Sequence, residues 1–177
     1  MKIKTYVLTV AKVFPKTHKR AGEPTNFPSS IHHGTKKHTI RSNYDLWKKR
    51  FEKIDAGEAV LSIRVWEGKP YNSKQREIFR LNKSQGIGIE KLENPDNLLT
   101  AAIEGKLIDW KDVATNDGLN FWDFCHWFKT RQKEPMAVIH FTDFRYNRFC
   151  SCEMGTPCAL DVNKKWFCTQ CGKNKKF

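Results

Sequence analysis

Lys36-Lys37-His38-Thr39-Ile40-Arg41 decides how the rest of this chain is read. Six residues carry four cationic or titratable bases and one hydroxyl, between a Pro/Ser/His/Gly-rich segment and a helix start. In an extended backbone Lys37, Thr39 and Arg41 share one face, because side chains alternate with period two. Lys36 has the other parity, so a bend is needed to bring it beside Thr39. A hydroxyl is a weak nucleophile until a neighbouring base takes its proton. A lysine serves as that base only where burial or adjacent positive charge lowers its pKa. Arg41 and Lys37 are the candidates to supply that charge. The competing reading is that the triplet binds phosphate or pairs with the following helix.

Upstream, residues 3–14 are rich in β-branched and aromatic types and read as one strand. From 15 to 34, Pro15, Pro24 and Pro28 punctuate polar residues, which predicts a long ordered loop of the kind that often carries function. Downstream, Ser42 is expected to cap a helix over 43–55, with Asp45 three residues on as an acidic capping box. Tyr44, Trp47, Phe51 and Ile54 recur at helical spacing and mark its apolar face. Residues 59–66 alternate as a strand, with Leu61, Ile63 and Val65 towards the core. Strands are expected at 74–81 and 86–92, and a turn at Asn94-Pro95-Asp96. The stretch 98–108 is a hairpin or a short helix plus strand. Asp109 caps a helix over 110–114, and Asn120 opens another at 121–132, with Phe121, Phe124, Cys125 and Phe128 facing inward. Residues 137–141 form a last strand. Together these elements predict an α+β fold, a small mixed β-barrel with two to three flanking helices over 1–149.

The 32 Lys+Arg against 19 Asp+Glu give a net charge of +13, which favours an anionic partner, nucleic acid first. A solvated basic surface is the plainer alternative. No apolar run approaches the ~20 residues that span a bilayer, and the first residues lack a secretory h-region. A cytoplasmic location without membrane association is therefore expected. In that setting six cysteines point to metal ligands or thiols rather than disulfides.

Five of the six fall within 22 residues of the tail, 150–177. Cys168-Thr-Gln-Cys171-Gly172 is a thiolate knuckle of the kind that holds structural zinc. The other pair comes from Cys150, Cys152 and Cys158, with Cys152 and Cys158 preferred. A closed four-thiolate site would be structural, and it would supply the stability that so short and polar a segment cannot draw from its own core. His32, His33 and His38 surround Gly34 but lack a second ligand pair at metal spacing, so they read as loop and cleft residues.

Lys36-x-x-Thr39-x-Arg41, following Gly34 and leading into a helix, resembles the signature of the ASCH domains, a branch of the PUA-like β-barrels. Asp117-Gly118-Leu119, the aromatic helix from Phe121 to Phe128 and the strand Val138-Ile139-His140-Phe141 resemble the end of that domain. The resemblance covers roughly residues 1–146. Asn43–Arg50, with Trp66 to Tyr71, resembles ASCH-like proteins of bacterial and phage genomes. The family implies a PUA-like barrel with a cleft beside the first helix and RNA as partner. On that basis Lys36, Lys37, His38, Thr39 and Arg41 would bind nucleic acid, RNA before DNA, or a nucleoside. One bacterial branch hydrolyses N4-acetylcytidine with a lysine, a threonine and a glutamate. Lys36 and Thr39 match the first two positions, and Asp117, one methylene shorter, is the nearest to the third. The expectations are thus a nucleic-acid-binding module, an amidohydrolase using Lys36, Thr39 and Asp117, or a phage-type factor that engages a host protein.

Overall fold

The computed structural model describes residues 3–93, 100–128 and 134–148, together with the backbone of three short strands in the tail. Among the described residues the fold is mixed α+β, with four α-helices and two principal sheets. The elements run β1 (Lys4–Thr9), α1 (Phe27–His32), β2 (His38–Arg41), α2 (Tyr44–Asp55), β3 (Ala59–Trp66), β4 (Gln75–Leu81), β5 (Gly88–Leu92), β6 (Thr100–Ile103), β7 (Lys106–Asp109), α3 (Trp110–Asn116), α4 (Phe121–Trp127) and β8 (Met136–His140). The tail adds β9 (Cys158–Leu160), β10 (Trp166–Cys168) and β11 (Asn174–Lys175). No helix among the described residues is long and apolar enough to cross a membrane.

One sheet has the order β1-β3-β4, and the other β2-β8-β5-β6-β7. β1 runs parallel to β3, and the remaining pairs are antiparallel. Every residue of β8 is buried, because it lies mid-sheet with a core on each side. Ala137 and Ile139 pack with Trp47, Phe51 and Ile63, while Met136 and Val138 pack with Val113, Leu119 and Phe124. A strand covered on both faces reads as a continuous apolar run, and Met136–Phe141 does so except at His140.

The expected closed barrel does not form among the described residues, since no ladder joins the two sheets. Edge strand β2 is only four residues long. It meets β1 through a side chain instead: the Arg41 guanidinium donates to the Thr9 carbonyl at 2.7 Å. The predicted first strand is likewise cut short at Thr9, and the chain then turns outward through an isolated bridge between Val13 and Pro24.

The 15–34 segment is not wholly loop. Pro28 stands in the first turn of α1, where its missing N–H costs nothing, and Phe27 and Ile31 anchor the helix to the two cores. Asn43, not Ser42, caps α2: its side chain accepts the Leu46 N–H at 3.0 Å. From Thr100 on, the 98–108 stretch is the hairpin β6–β7, turning at Glu104 and Gly105, both with positive φ. In α4 Cys125 is exposed, because the short helix turns Asp123 and Phe124 inward instead. The Asn94-Pro95-Asp96 turn and the end of the predicted 121–132 helix lie outside the described residues.

Candidate active site

Lys36 precedes β2 and is clamped by backbone on both sides. Its N–H donates to the Ser30 carbonyl on α1 at 3.0 Å, and the Lys37 N–H donates to the Asn116 carbonyl at the end of α3 at 2.8 Å. This is the bend that brings Lys36 out of the strand's parity. Its side chain then runs inward past Gly118, where a Cβ would lie 3.1 Å from Lys36 Cβ. Gly118 also has φ +77, so glycine is required there twice over.

The Lys36 ammonium is 1% exposed and 3.0 Å from Asp117 Oδ1, and it donates to the Asp117 carbonyl as well. It also sits 4.0 Å from the centre of the Phe27 ring, a cation–π contact in a dry setting. Asp117 is the C-cap residue of α3, where a cation is favoured by the helix dipole. Behind it, His38 Nδ1 stands 3.6 Å from Asp117 Oδ1, while His38 Nε2 is 2.7 Å from the Tyr146 hydroxyl. Asn116 donates to that hydroxyl at 3.1 Å. His140 Nε2 lies 2.8 Å from Glu90 Oε2, and the Glu90 carboxylate accepts the N–H groups of Tyr146 and Asn147.

Burial dominates the electrostatics. It pushes the Lys36 amine below its ordinary value; nearby Arg41 pushes the same way, and Asp117 opposes both. Burial alone would raise Asp117, but Lys36 and His38 together hold its carboxyl below the usual range. His38 is lowered by burial against the pull of Asp117. His140 falls to about 4, mainly from burial, despite Glu90. Burial raises the Tyr146 phenol well above its usual value.

Thr39 is buried and accepts a hydrogen bond from the Arg41 guanidinium at 3.0 Å. Thr39, Arg41, Asp117, Phe27 and Trp127 line a cavity of about 20 Å³, room for about one water. The structure therefore brings Lys36, Thr39, Arg41 and Asp117 into one neighbourhood, although Asp117 is 81 residues from Lys36 in sequence. Lys36, His38 and Thr39 are sunk into the fold rather than presented on a groove, and Lys37 and Arg41 are half-buried. Lys37 lies over the Phe144 ring at 4.5 Å. His32 and His33 are exposed on α1 and its C-cap.

His38 apart, the sequence reading missed the supporting network: Glu90, Asn116, His140 and Tyr146. A signal was present for His140, which interrupts the otherwise apolar β8, but not for Glu90, which stands beside Lys91 in a mixed strand. Among the described residues no cluster of His, Cys, Asp or Glu is placed to hold a metal. Cys150, Cys152 and Cys171 lie outside the described residues, and the β9–β10 register sets the backbones of Cys158 and Cys168 opposite each other. Comparison with protein-family models, curated proteins and solved structures finds no match for this chain.

Proposed function

We propose that this protein is an amidohydrolase that cleaves an N-acyl group from a small base-like substrate, with Thr39 as nucleophile. The observation that carries this reading is the buried Lys36–Asp117 pair, whose Asp117 end lines one small cavity together with Thr39 and Arg41. A surface meant for phosphates keeps its lysines in solvent, whereas a lysine with a lowered pKa in a dry pocket is suited to proton transfer. The resemblance to the ASCH domains, whose hydrolytic branch uses a lysine and a threonine at these positions, supports the same assignment.

In this mechanism Lys36, whose burial favours loss of its proton to solvent, then takes the Thr39 hydroxyl proton as Oγ1 bonds to the acyl carbon. Arg41 stabilises the developing oxyanion. The C–N bond breaks, and Lys36 returns the proton to the leaving nitrogen. Water then attacks the acyl–Thr39 ester, the C–O bond breaks and Thr39 regains its proton. Asp117, held as a carboxylate, orients Lys36 rather than donating the proton itself. The cavity fits the water of the second step, and Trp127 and Phe128 line it on one side.

Chromatography of N4-acetylcytidine and other N-acylated nucleosides incubated with the protein tests this directly. Free amine should accumulate with wild type and with Thr39→Ser, and not with Thr39→Val. Release by Thr39→Val at the wild-type rate would overturn the nucleophile, and no release from any N-acyl substrate would overturn the reading.

A nucleic-acid role rests on a different surface. Tyr71 is 89% exposed, has φ 66 and leans on Trp66 at 5.4 Å, with Lys69, Lys74 and Arg76 exposed around it. An aromatic set among cations suits stacking on an unpaired base. Tyr71→Ala should weaken single-stranded RNA binding at fixed salt, and unchanged affinity would remove this reading. For the tail, the opposition of Cys158 and Cys168 suits a shared zinc with Cys152 and Cys171, in a cytoplasm that keeps thiols reduced. Elemental analysis of the purified chain reads the zinc content.

A further inference from the structure

Tyr146 is wholly buried, and none of the hydrolytic steps uses it. Its setting is built on one sheet face. His38 on β2 pairs directly with His140 on β8, and Gly88 on β5 pairs with His140 from the other side. Glu90 stands two residues beyond Gly88, so with period two all four share that face. The segment 144–148 lies across it. Arg145 fills the space that Gly88 leaves, where a Cβ would collide with the guanidinium, and it donates to the Gly86 carbonyl at 2.8 Å. The buried Glu90 carboxylate accepts the Tyr146 N–H at 2.8 Å and the Asn147 N–H at 2.7 Å. These anchors fix where the Tyr146 hydroxyl stands.

That hydroxyl has one proton to give. Asn116 Nδ2 only donates, so on its side, at 3.1 Å, the Tyr146 oxygen accepts. The proton is left for His38 Nε2, 2.7 Å away. A neutral imidazole that accepts at Nε2 carries its own proton on Nδ1. The opposite end of the ring demands the same. Nδ1 faces Asp117 Oδ1 at 3.6 Å, an electrostatic contact longer than a hydrogen bond, and a carboxylate only accepts. A bare Nδ1 would set a lone pair against that negative charge. Among the described residues this chain of bonds ends on the Asn116 amide, so it orients groups rather than carrying protons away.

We infer that Tyr146 is a positioning residue: its hydroxyl holds His38 as the Nδ1–H tautomer, and His38 in turn keeps Asp117 a carboxylate towards Lys36. A neutral ring does this with a dipole, without a second full positive charge beside the lysine. The purpose of this role rests on the hydrolytic reading. There the proton taken from Thr39 must stay on Lys36 until the leaving nitrogen receives it. An Asp117 stripped of His38 would compete for that proton. Tyr146 thus acts through His38, and His38 through Asp117.

Long-range proton–nitrogen NMR spectra of the full chain, labelled in its histidine rings, read the tautomer directly. In wild type near neutral pH, His38 should show a protonated Nδ1 and a bare Nε2. Tyr146→Phe should shift His38 towards the Nε2–H form. With N4-acetylcytidine the same variant should lower kcat by about tenfold and leave KM unchanged, a split that a merely structural loss would not produce. A bare Nδ1 in wild type would overturn the assignment, and that spectrum needs no variant to fold. A Tyr146→Phe chain whose His38 spectrum matches wild type, or whose kcat is unchanged, would overturn it too. Wild type that releases cytidine from no N-acyl substrate would instead overturn the hydrolytic reading, and the spectra decide the tautomer without it.

Discussion

Asp117 and Asp123 lie on one short turn-and-helix stretch, both buried, and the fold holds them in different ways. Asp117 meets Lys36 and His38, whose side chains are as buried as its own. Asp123 meets Arg20 and Lys19, whose side chains are 38% and 47% exposed. A charge whose partner is also buried cannot be relaxed by water when that partner is removed. A charge whose partners reach solvent can be screened and re-solvated. The first arrangement suits chemistry that needs a shifted lysine, and the second suits a clasp that holds the 15–34 segment over a cavity.

The largest expected effect breaks the first arrangement. Asp117→Ala leaves Lys36 buried without its counter-charge and should cost about 3–5 kcal/mol in a denaturant titration. The double variant Lys36→Met/Asp117→Leu should recover most of that loss. Loss in the double equal to the sum of the singles would mean the two sites do not interact.

Next comes acid. The folded pKa of His140, about 4, is below its ordinary 6.5, so between those values the unfolded chain binds more protons than the folded one. Stability should therefore fall as pH drops from 6.5 to 4, by about 3 kcal/mol from this residue. Glu90, held below its usual value by His140 and two backbone N–H groups, extends the loss below 4.5. His140→Gln should flatten the upper part of the curve, and an unchanged slope would reassign it.

Gly118→Ala sharpens the comparison from between the two carboxylates. It strains a positive φ and presses on the Lys36 stem, so a loss of about 1–3 kcal/mol is expected, with turnover falling as Lys36 shifts. Asp123→Ala should cost less than Asp117→Ala, about 1–2 kcal/mol, through its hydrogen bonds. Its salt dependence should be lost with it, because its partners are exposed. Thr39→Val should be the mildest for stability, below about 1 kcal/mol, and the most severe for hydrolysis.

Much of the first region was legible. The Lys36-x-x-Thr39-x-Arg41 spacing and the Asp117-Gly118 pair drew attention to residues that the fold does bring together, and the requirement for burial and an adjacent Arg41 followed from lysine chemistry alone. The period-two and helical patterns located β3, α2 and β8 because each buries a continuous apolar face. The second region was hidden. Pro28 and the polar run around it masked α1, since a six-residue helix shows too few apolar positions to declare a period. The inward turn of Asp123 in place of Cys125 depends on Arg20, more than 100 residues away. Closure of the barrel was misjudged because Arg41 bridges to Thr9 by its side chain, which strand patterns do not record.

The most direct test of the central claim is the pKa of the Lys36 amine, followed by NMR through its side-chain resonances as pH is raised. That pKa should lie clearly below the ordinary 10.5, and fall further in Asp117→Asn, where the opposing charge is gone. A wild-type value at or above 10.5 would contradict it, leaving Lys36 a permanent cation and Thr39 without a base.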